Sequence, residues 1–290
     1  MTSLADWVAG ARPRTLPAAL VPVAVGTAAA DPDGGIVWWR VGAALVVSLF
    51  LQIGVNYAND YSDGVRGTDD DRVGPMRLVA SGAARPAAVR AAALLAFGVA
   101  AVAGLALAIA VSWWLILVGA LAILAAWGYT GGPRPYGYAG FGELFVFVFF
   151  GLVATAGTAF VQDEAVSALG VGASIPVGLL AVALLITNNL RDRPMDELAG
   201  KKTLAVRMGD RATRVVYAGV VVGVFLCLPY LAIVRWGALA GLIAVPAAIA
   251  PIRAVLRGDE GPALIPVLGA TGRLQLLVGA LLTVGLAASG

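Results

Sequence analysis

The feature that most constrains this chain is a succession of apolar stretches, each about as long as a membrane-crossing helix. About 20 consecutive apolar residues are needed to cross the hydrocarbon core of a bilayer. The 290 residues are 60% hydrophobic and 13% charged, roughly half the charge of an ordinary soluble domain. A water-soluble globular enzyme is therefore excluded, and we expect an all-α membrane protein with a single integral-membrane domain over 1–290. Nine transmembrane helices in a single bundle are predicted, at roughly 15–31, 37–57, 89–111, 112–130, 138–161, 166–190, 212–233, 236–256 and 270–289.

Basic residues are distributed unevenly between the two ends of these predicted helices. Eighteen of the 20 Lys and Arg residues fall on one side, and Arg40 and Arg235 fall on the other. Because cytoplasmic loops carry the excess of Lys and Arg, we expect the N-terminus and the basic loops in the cytoplasm and the C-terminus outside. This bias explains the net charge of +3 without a nucleic-acid partner. The richness in Ala, Gly and Arg is typical of a GC-rich bacterial genome, so the expected location is a bacterial cell (inner) membrane.

The amino-acid types present limit the chemistry that a site can use. There is no histidine, which excludes His general bases and ordinary zinc sites. The single cysteine, Cys227, cannot form an internal disulfide, and its apolar surroundings predict a small buried hydrophobe. A site must therefore be built from Asp, Glu, Asn, Lys, Arg or Tyr, or from a metal that they hold.

Two long, charged loops differ from the short connections elsewhere. They are 56–82 (NYANDYSDGVRGTDDDRVGPMRLVASG) and 188–211 (NNLRDRPMDELAGKKTLAVRMGDR), and the four predicted spans between them place both on the same face. Each loop continues an apolar helix and offers an Asn followed by two spaced Asp residues. The two sets are Asn56, Asp60 and Asp63, and Asn188, Asp192 and Asp196.

The spacing within each set predicts how its side chains are arranged. Positions i, i+4 and i+7 of the first set fall on one stripe of a helix. The second set has positions i, i+4 and i+8, but Pro194 interrupts it. Proline disfavours helix at its own position and at the preceding one, so a continuous helix through Asp196 is not expected.

Clustered carboxylates at a membrane edge must be neutralised or bind cations, because an unpaired charge is costly there. Oxygen ligands without His or Cys favour hard ions, above all Mg²⁺, with Mn²⁺ as a substitute. Mg²⁺ held by one or two carboxylates usually shares its other positions with substrate phosphates. The two loops therefore predict a diphosphate site, with ordinary solvated loops as the alternative. The predicted metal ligands are Asp60, Asp63, Asp192 and Asp196, and the adjoining ligands or orienting donors are Asn56 and Asn188.

Basic residues near both sets suit the same anionic ligand. Lys201 and Lys202 are the only lysines in the chain, against 18 arginines, which favours a phosphate-binding role for at least one of them. The alternative is that all of these residues belong to the general excess of positive charge in cytoplasmic loops and bind no ligand. The predicted diphosphate-binding residues are Arg72, Arg77, Arg191, Lys201 and Lys202.

These segments resemble the intramembrane aromatic prenyltransferases of UbiA type, and within them the branch that acts on 1,4-dihydroxy-2-naphthoate. The resemblance covers essentially the whole chain. It implies nine transmembrane helices and two Asp-rich motifs. The matching segments are ARPRTLPAALVPVAVGTA, NYANDYSDGVRGTD, DRVGPMRLVASG, YTGGPRPYGYAGFGELFVFVFFG and NNLRDRPMDELAGKKTLAVRMG.

The resemblance implies a Mg²⁺-dependent transfer of a polyprenyl chain from polyprenyl diphosphate to 1,4-dihydroxy-2-naphthoate. Carbon dioxide and pyrophosphate would be released, and the product would be a demethylmenaquinone, as in menaquinone biosynthesis. Such chemistry requires no strong protein base, which agrees with the lack of histidine. The family's first motif often has a further Asp where this chain has Gly67, so Asp69, Asp70 or Asp71 would substitute for it. Prenyl chain length and oligomeric state do not follow from the sequence.

The residues that would contact the aromatic acceptor are less well defined. Glu143 lies near the cytoplasmic end of the fifth predicted span, where an acid is costly and often functional. Pairing with a nearby Arg is the alternative for Glu143. Tyr129 and Tyr138 would line the acceptor pocket or belong to an interfacial aromatic belt. Arg14 is either an acceptor-binding group or a topology charge.

Two other functions remain as alternatives. The first is the same fold with another acceptor, such as 4-hydroxybenzoate, homogentisate or haem. The second is an ion-coupled transporter. A transporter would place its acids near the bilayer midplane on broken helices, whereas the acids here are predicted at helix ends beside Arg-rich loops.

Overall fold

The computed structural model describes residues 2–32, 34–67 and 76–290. Within these ranges the regular secondary structure is helical, which agrees with the predicted all-α class. Two long segments depart from α-helical geometry, a π-helix over Phe147–Ala156 and a 3₁₀-helix over Trp236–Ala244. Three short 3₁₀-helices cover Pro13–Thr15, Tyr136–Ala139 and Gly261–Ala263. The α-helices are α1 (Leu4–Gly10), α2 (Pro17–Ala28), α3 (Trp38–Arg66), α4 (Pro86–Ala110), α5 (Trp114–Gly128), α6 (Gly142–Val146), α7 (Gly157–Asp163), α8 (Ala168–Leu198), α9 (Leu204–Met208), α10 (Asp210–Val234), α11 (Val245–Arg257) and α12 (Leu264–Ala288).

In the part of the chain that the structure describes, seven helical segments are long and apolar enough to cross a membrane. The predicted spans 15–31 and 112–130 instead contain the shorter apolar helices α2 and α5, of 12 and 15 residues. At 1.5 Å per residue these two helices fall short of the roughly 30 Å bilayer core. The seven segments are Trp38–Arg66, Pro86–Ala110, Gly142–Asp163, Ala168–Leu198, Asp210–Val234, Trp236–Arg257 and Gly261–Ala288.

Helix α8 is the central element of the bundle. In its most apolar part 67% of the residues are buried, the largest share among the seven long segments. It packs against α10, α12 and the π-helix, and the main apolar core lies between these elements. Helix α3 packs along α4. Because α3 carries the first motif and α8 carries the second, the positions of these two helices in the bundle determine where the motifs meet.

Glycines allow two very close helix contacts. A Cβ atom at Gly151 of the π-helix would lie 2.7 Å from the Cα atom of Gly178 in α8. A Cβ atom at Gly237 would lie 1.9 Å from the carbonyl oxygen of Gly285 in α12. Small residues of this kind are typical of helix interfaces in lipid, where close backbone approach replaces the hydrophobic driving force.

Both motif-bearing helices continue beyond the predicted apolar spans. Helix α3 extends to Arg66 and ends at Gly67, whose φ of 69° is the left-handed conformation common at helix ends. Helix α8 extends to Leu198 and contains Pro194. The expectation that Pro194 prevents a continuous helix through Asp196 is therefore wrong. Side-chain hydrogen bonds hold the preceding turn, since Arg191 donates to the side chains of both Asn188 and Asp192.

Candidate active site

A buried lysine joins the two Asp-containing motifs. The Nζ atom of Lys201 lies 3.6 Å from Oδ2 of Asp63 and 3.9 Å from Oδ1 of Asp196. Lys201 and Asp63 are 7% and 4% exposed, so this ion pair is largely removed from water. The sequence predicted that Lys201 and both carboxylates belong to one site, and the structure places them in contact.

Tyr138 forms the third side of this centre. Its hydroxyl donates a hydrogen bond to Oδ1 of Asp63 over 2.5 Å. Its ring lies 4.7 Å from the ammonium of Lys201 and 5.5 Å from the guanidinium carbon of Arg66, both within the range of cation–π attraction. Tyr138 therefore contacts charged groups from both motif segments; its predicted roles were a place in the acceptor pocket or in an interfacial aromatic belt.

Arg66, which the sequence analysis did not select, fixes the loop before Tyr138. Its guanidinium donates to the carbonyl oxygens of Thr130 and Gly132. The hydroxyl of Thr130 in turn donates to Oδ1 of Asn59 over 2.7 Å. These bonds hold the loop over the end of α3. No sequence signal separates Arg66 from the other basic loop residues.

Asp60 holds the chain that follows the first motif. It is fully buried, and its two carboxylate oxygens accept hydrogen bonds from the backbone N–H groups of Leu78 and Val79 over 2.8 and 2.9 Å. Arg77, which is 9% exposed, directly precedes this anchored segment. A carboxylate has about four acceptor positions, so these two bonds leave capacity for a cation.

Asn56 fastens the N-terminal segment to α3. Its Nδ2 atom donates to the carbonyl oxygen of Ala11 and to the hydroxyl of Thr15, over 2.9 and 3.0 Å. Exposed Arg14 lies in the segment held this way. Of the two roles predicted for Asn56, ligand or orienting donor, these contacts correspond to the second.

In the second motif, Arg191 neutralises Asp192. The Nε and Nη2 atoms of Arg191 lie 2.7 and 2.8 Å from the two carboxylate oxygens of Asp192. Nη2 also donates to Oδ1 of Asn188 over 2.7 Å. Arg191 and Asp192 are 5% and 4% exposed and Asn188 is half-buried, so the three side chains form one hydrogen-bonded unit within the motif.

The two adjacent lysines have different environments. Lys201 is buried between the motifs, whereas Lys202 is exposed. The backbone N–H of Lys202 donates to the carbonyl oxygen of Tyr138 over 2.9 Å. Lys202 therefore positions the backbone, and Lys201 brings its charge into the site.

A second polar contact joins α6 to α8. The Nδ2 atom of Asn189 donates to Oε1 of Glu143 over 2.9 Å, and both residues are buried. The predicted alternative of an arginine partner for Glu143 does not occur among the described residues. Asn189 was missed by the sequence analysis because the motif pattern used its neighbour Asn188. A buried amide in an apolar helix was the available signal.

The donor set fits a hard divalent cation. Among the described residues no three carboxylates come together, but Mg²⁺ typically takes one or two carboxylates and completes its shell with phosphate oxygens and water. Asp63 and Asp196 supply such a pair, and the ammonium of Lys201 already lies between them as a stand-in cation. Arg72 and the three candidate substitutes for Gly67 lie outside the described residues. Those substitutes are Asp69, Asp70 and Asp71.

With its motifs joined at the ends of α3 and α8, the chain has the fold of a known family of membrane enzymes. It belongs to the UbiA prenyltransferase family, whose model matches residues 19–268. The chain is accordingly a multi-span membrane protein. In fold it is similar to a UbiA homologue from Archaeoglobus fulgidus bound to DMAPP and Mg²⁺, with a TM-score of 0.64, 18% identity and coverage of 97% and 99% of the two chains. The apo UbiA homologue from Aeropyrum pernix K1 gives a TM-score of 0.70 at 14% identity, over 93% and 97%.

Within that family, the chain is similar in sequence to proteins that are named for one particular acceptor. The chain is 52% identical to the 1,4-dihydroxy-2-naphthoate octaprenyltransferase of Mycobacterium tuberculosis, over 100% of this chain and 99% of that protein. It is 34% identical to the Escherichia coli protein of the same name, over 97% of this chain and 94% of that protein.

Proposed function

We propose that this chain transfers a polyprenyl group from polyprenyl diphosphate to 1,4-dihydroxy-2-naphthoate, with decarboxylation, in menaquinone biosynthesis. Full-length similarity to proteins named for this reaction supports the acceptor. The meeting of Asp63, Lys201 and Asp196 is the observation that carries the chemistry, because it joins acidic and basic groups from both motifs at one point.

The proposed cofactor is Mg²⁺, with Mn²⁺ as a substitute. The ligands proposed are Asp60, Asp63, Asp192 and Asp196, with Asn56 and Asn188 adjoining. When bound, the metal would stabilise the negative charge that develops on the leaving diphosphate. Support for this assignment comes from the anionic pair around Lys201 and from the Mg²⁺ bound by the Archaeoglobus fulgidus homologue.

The chain's own residues would bind and orient the diphosphate. Lys201 is the principal group, because its ammonium lies between the motifs. Arg77 lies beside the segment anchored by Asp60, and Arg191 would reach the ligand from its pair with Asp192. Arg72 and Lys202 complete the proposed set. Charge-assisted hydrogen bonds from Arg and Lys to phosphate oxygens are among the strong ones.

A row of contacting aromatic rings would close one side of the proposed site against water. The rings of Tyr129 and Tyr136 have centroids 5.5 Å apart, those of Tyr136 and Phe145 are stacked at 4.0 Å, and those of Phe145 and Phe149 lie 6.1 Å apart. Burial raises the pKa of Tyr136, so this phenol stays neutral. Departure of the diphosphate would leave an allylic cation on the prenyl group, and an apolar wall of this kind would protect that cation from hydrolysis.

An acceptor panel tests the proposed function. Purified protein with a polyprenyl diphosphate and Mg²⁺ would be given 1,4-dihydroxy-2-naphthoate, 4-hydroxybenzoate, homogentisate or haem, and prenylated products would be identified by mass spectrometry. Preferential use of the naphthoate supports the proposal. Product from another acceptor alone would overturn it. Absence of Mg²⁺-dependent pyrophosphate release with all four would favour an ion-coupled transporter.

Substitution of the two lysines separates a binding role from a topology charge. Lys201→Ala is expected to raise the KM for polyprenyl diphosphate at least about 10-fold, because a charge-assisted contact to phosphate is removed. Lys202→Ala is the comparison within the proposed set, since that side chain is exposed, and a smaller rise in this KM, below about threefold, is expected. Equal effects of the two substitutions would contradict the assignment of Lys201 as the principal diphosphate group.

The proposed topology has nine membrane segments, with α2 and α5 as the two short ones and the motifs on the cytoplasmic side of a bacterial cell membrane. In a Cys227→Ala background, Gly34→Cys is expected to react with an impermeant thiol reagent in right-side-out vesicles, and Ala199→Cys is expected not to react. Both positions are exposed, and detergent-solubilised protein should be labelled at each. A reversed pattern would contradict the orientation, and labelling of both in vesicles would contradict the number of segments.

A further inference from the structure

One buried oxygen atom of Glu143 has no hydrogen-bond partner in the part of the chain that the structure describes. The residue is 8% exposed, and its Oε1 atom accepts the hydrogen bond from Asn189. Its Oε2 atom is buried, and no group in the described ranges donates a hydrogen bond to it. A buried polar atom without a partner costs free energy and calls for an explanation. At the edge of a membrane, such an acid is a candidate for ligand recognition.

Tyr129 lies beside the backbone next to Glu143. A Cβ atom at neighbouring Gly142 would lie 3.3 Å from the ring of Tyr129 and 3.5 Å from its hydroxyl. Burial raises the pKa of Tyr129, and the negative charges of Glu143, Asp196 and Asp63 raise it further. The Tyr129 phenol therefore stays neutral, beside Glu143 and within the field of both motif carboxylates.

Asn189 connects this group to the second motif. It lies on α8 three residues before Asp192, and its amide holds Oε1 of Glu143. Because Oε1 already accepts the hydrogen bond from Asn189, Oε2 is the oxygen of Glu143 that is available to accept a hydrogen bond from a ligand. A ligand that donates one hydroxyl would satisfy this atom.

The acceptor 1,4-dihydroxy-2-naphthoate has two ring hydroxyls, one next to its carboxylate and one remote from it. We propose, in an inference that rests on the proposed function, that Oε2 of Glu143 accepts a hydrogen bond from the remote hydroxyl. The hydroxyl next to the carboxylate can bond within the acceptor itself, which leaves the remote hydroxyl as the free donor. Glu143 is thus a specificity-determining residue, and Asn189 is its positioning residue. A site built around a substrate hydroxyl rejects analogues that lack it, since the buried protein group is then left unpaired.

Two acceptors and a small set of variants test this inference. The acceptors are 1,4-dihydroxy-2-naphthoate and 1-hydroxy-2-naphthoate, which lacks the remote hydroxyl. Glu143→Gln keeps the shape of the side chain, and the new amide oxygen can accept the hydrogen bond from Asn189. The NH₂ group of the glutamine then replaces Oε2 and points toward the acceptor. Asn189→Ala is a second variant that leaves Glu143 in place. Glu197→Gln is the control, because Glu197 is an exposed acid at the end of α8.

With the dihydroxy acceptor, kcat/KM is expected to fall about 10- to 100-fold in Glu143→Gln, the range for a hydrogen bond to a charged group. A smaller fall is expected in Asn189→Ala. With 1-hydroxy-2-naphthoate, wild type and both variants should agree within about threefold. The KM for polyprenyl diphosphate should change less than about twofold throughout. The ratio between variant and wild type is compared for each acceptor separately, because removal of a hydroxyl also lowers the reactivity of the ring.

The outcomes separate this inference from the proposed function. Equal losses for both acceptors in Glu143→Gln, or no loss for either, would overturn the recognition of the remote hydroxyl while the proposed function stands. If Glu143→Gln does not fold, equal losses for both acceptors in Asn189→Ala overturn the inference. A wild-type protein that prenylates neither naphthoate would overturn the proposed function and this inference with it.

Discussion

Asn in place of Asp63 or Asp196 is expected to lower turnover by at least about 10²-fold, which corresponds to roughly 2.7 kcal/mol of activation barrier. The two carboxylates come from different motifs and lie 3.6 and 3.9 Å from the same ammonium of Lys201. Each would therefore supply one negative charge to a cation placed between them. An amide keeps the shape of the side chain and removes that charge. Turnover is measured as pyrophosphate release at saturating substrate concentrations.

The combination of the two substitutions provides a sharper criterion than either alone. Asp63→Asn with Asp196→Asn should be little worse than one change, because breaking either half of a shared site disables the other half. Glu197→Gln is the matched control, since its side chain is 66% exposed on the same helix end and lies 3.9 Å from Arg193. Near-normal turnover in either single variant, or strictly multiplied losses in the double variant, would contradict a shared cation site.

Asp60→Asn and Asp192→Asn should lower turnover to a similar extent for different reasons. Asp60 accepts hydrogen bonds from the backbone N–H groups of Leu78 and Val79. In the Asn variant, the side-chain NH₂ group would face one of these N–H donors. Loss of thermal stability is therefore expected in addition to the loss of turnover. Asp192→Asn would remove the charge that neutralises Arg191. A higher KM for polyprenyl diphosphate is expected from the displaced guanidinium.

Hydropathy and charge pattern predicted the helical class. In lipid every backbone N–H and C=O group must be hydrogen-bonded within the protein, and an apolar segment of about 20 residues meets this requirement as a helix. The spacing of the first motif predicted helix through Asp63, close to the observed end of α3 at Arg66. The end of α8 at Leu198 was not predicted, because Pro194 interrupts the second motif. The C-terminal parts of both helices are stabilised by contacts with distant parts of the chain, as between Asp63 and Tyr138 for α3 and between Asn189 and Glu143 for α8. Pro194 was therefore given too much weight as a helix breaker.

The composition of the candidate site followed from the sequence, but its internal pairing did not. Residue type and spacing selected the acidic and basic groups of both motifs. The position of Lys201 between Asp63 and Asp196 depends on where α3 and α8 lie in the bundle. No local sequence pattern predicts that placement. The contact of Asn189 with Glu143 joins positions 46 residues apart. Such contacts are readable only once the helices are placed in space.

Removal of divalent metal is expected to abolish turnover, and Mg²⁺ or Mn²⁺ should restore it. In the described residues Lys201 supplies one positive charge between Asp63 and Asp196, which offsets one of the two carboxylate charges and provides no coordination site for phosphate oxygens. A hard divalent ion supplies both charge and coordination. Protein treated with EDTA would be titrated with Mg²⁺ while pyrophosphate release is followed. Asp63→Asn should need at least about 10-fold more Mg²⁺ for half-maximal turnover, because one ligand charge is lost, whereas Glu197→Gln should follow wild type. Full turnover in metal-free buffer would show that the diphosphate leaves without a metal, and Asp63 and Asp196 would then serve only to hold Lys201.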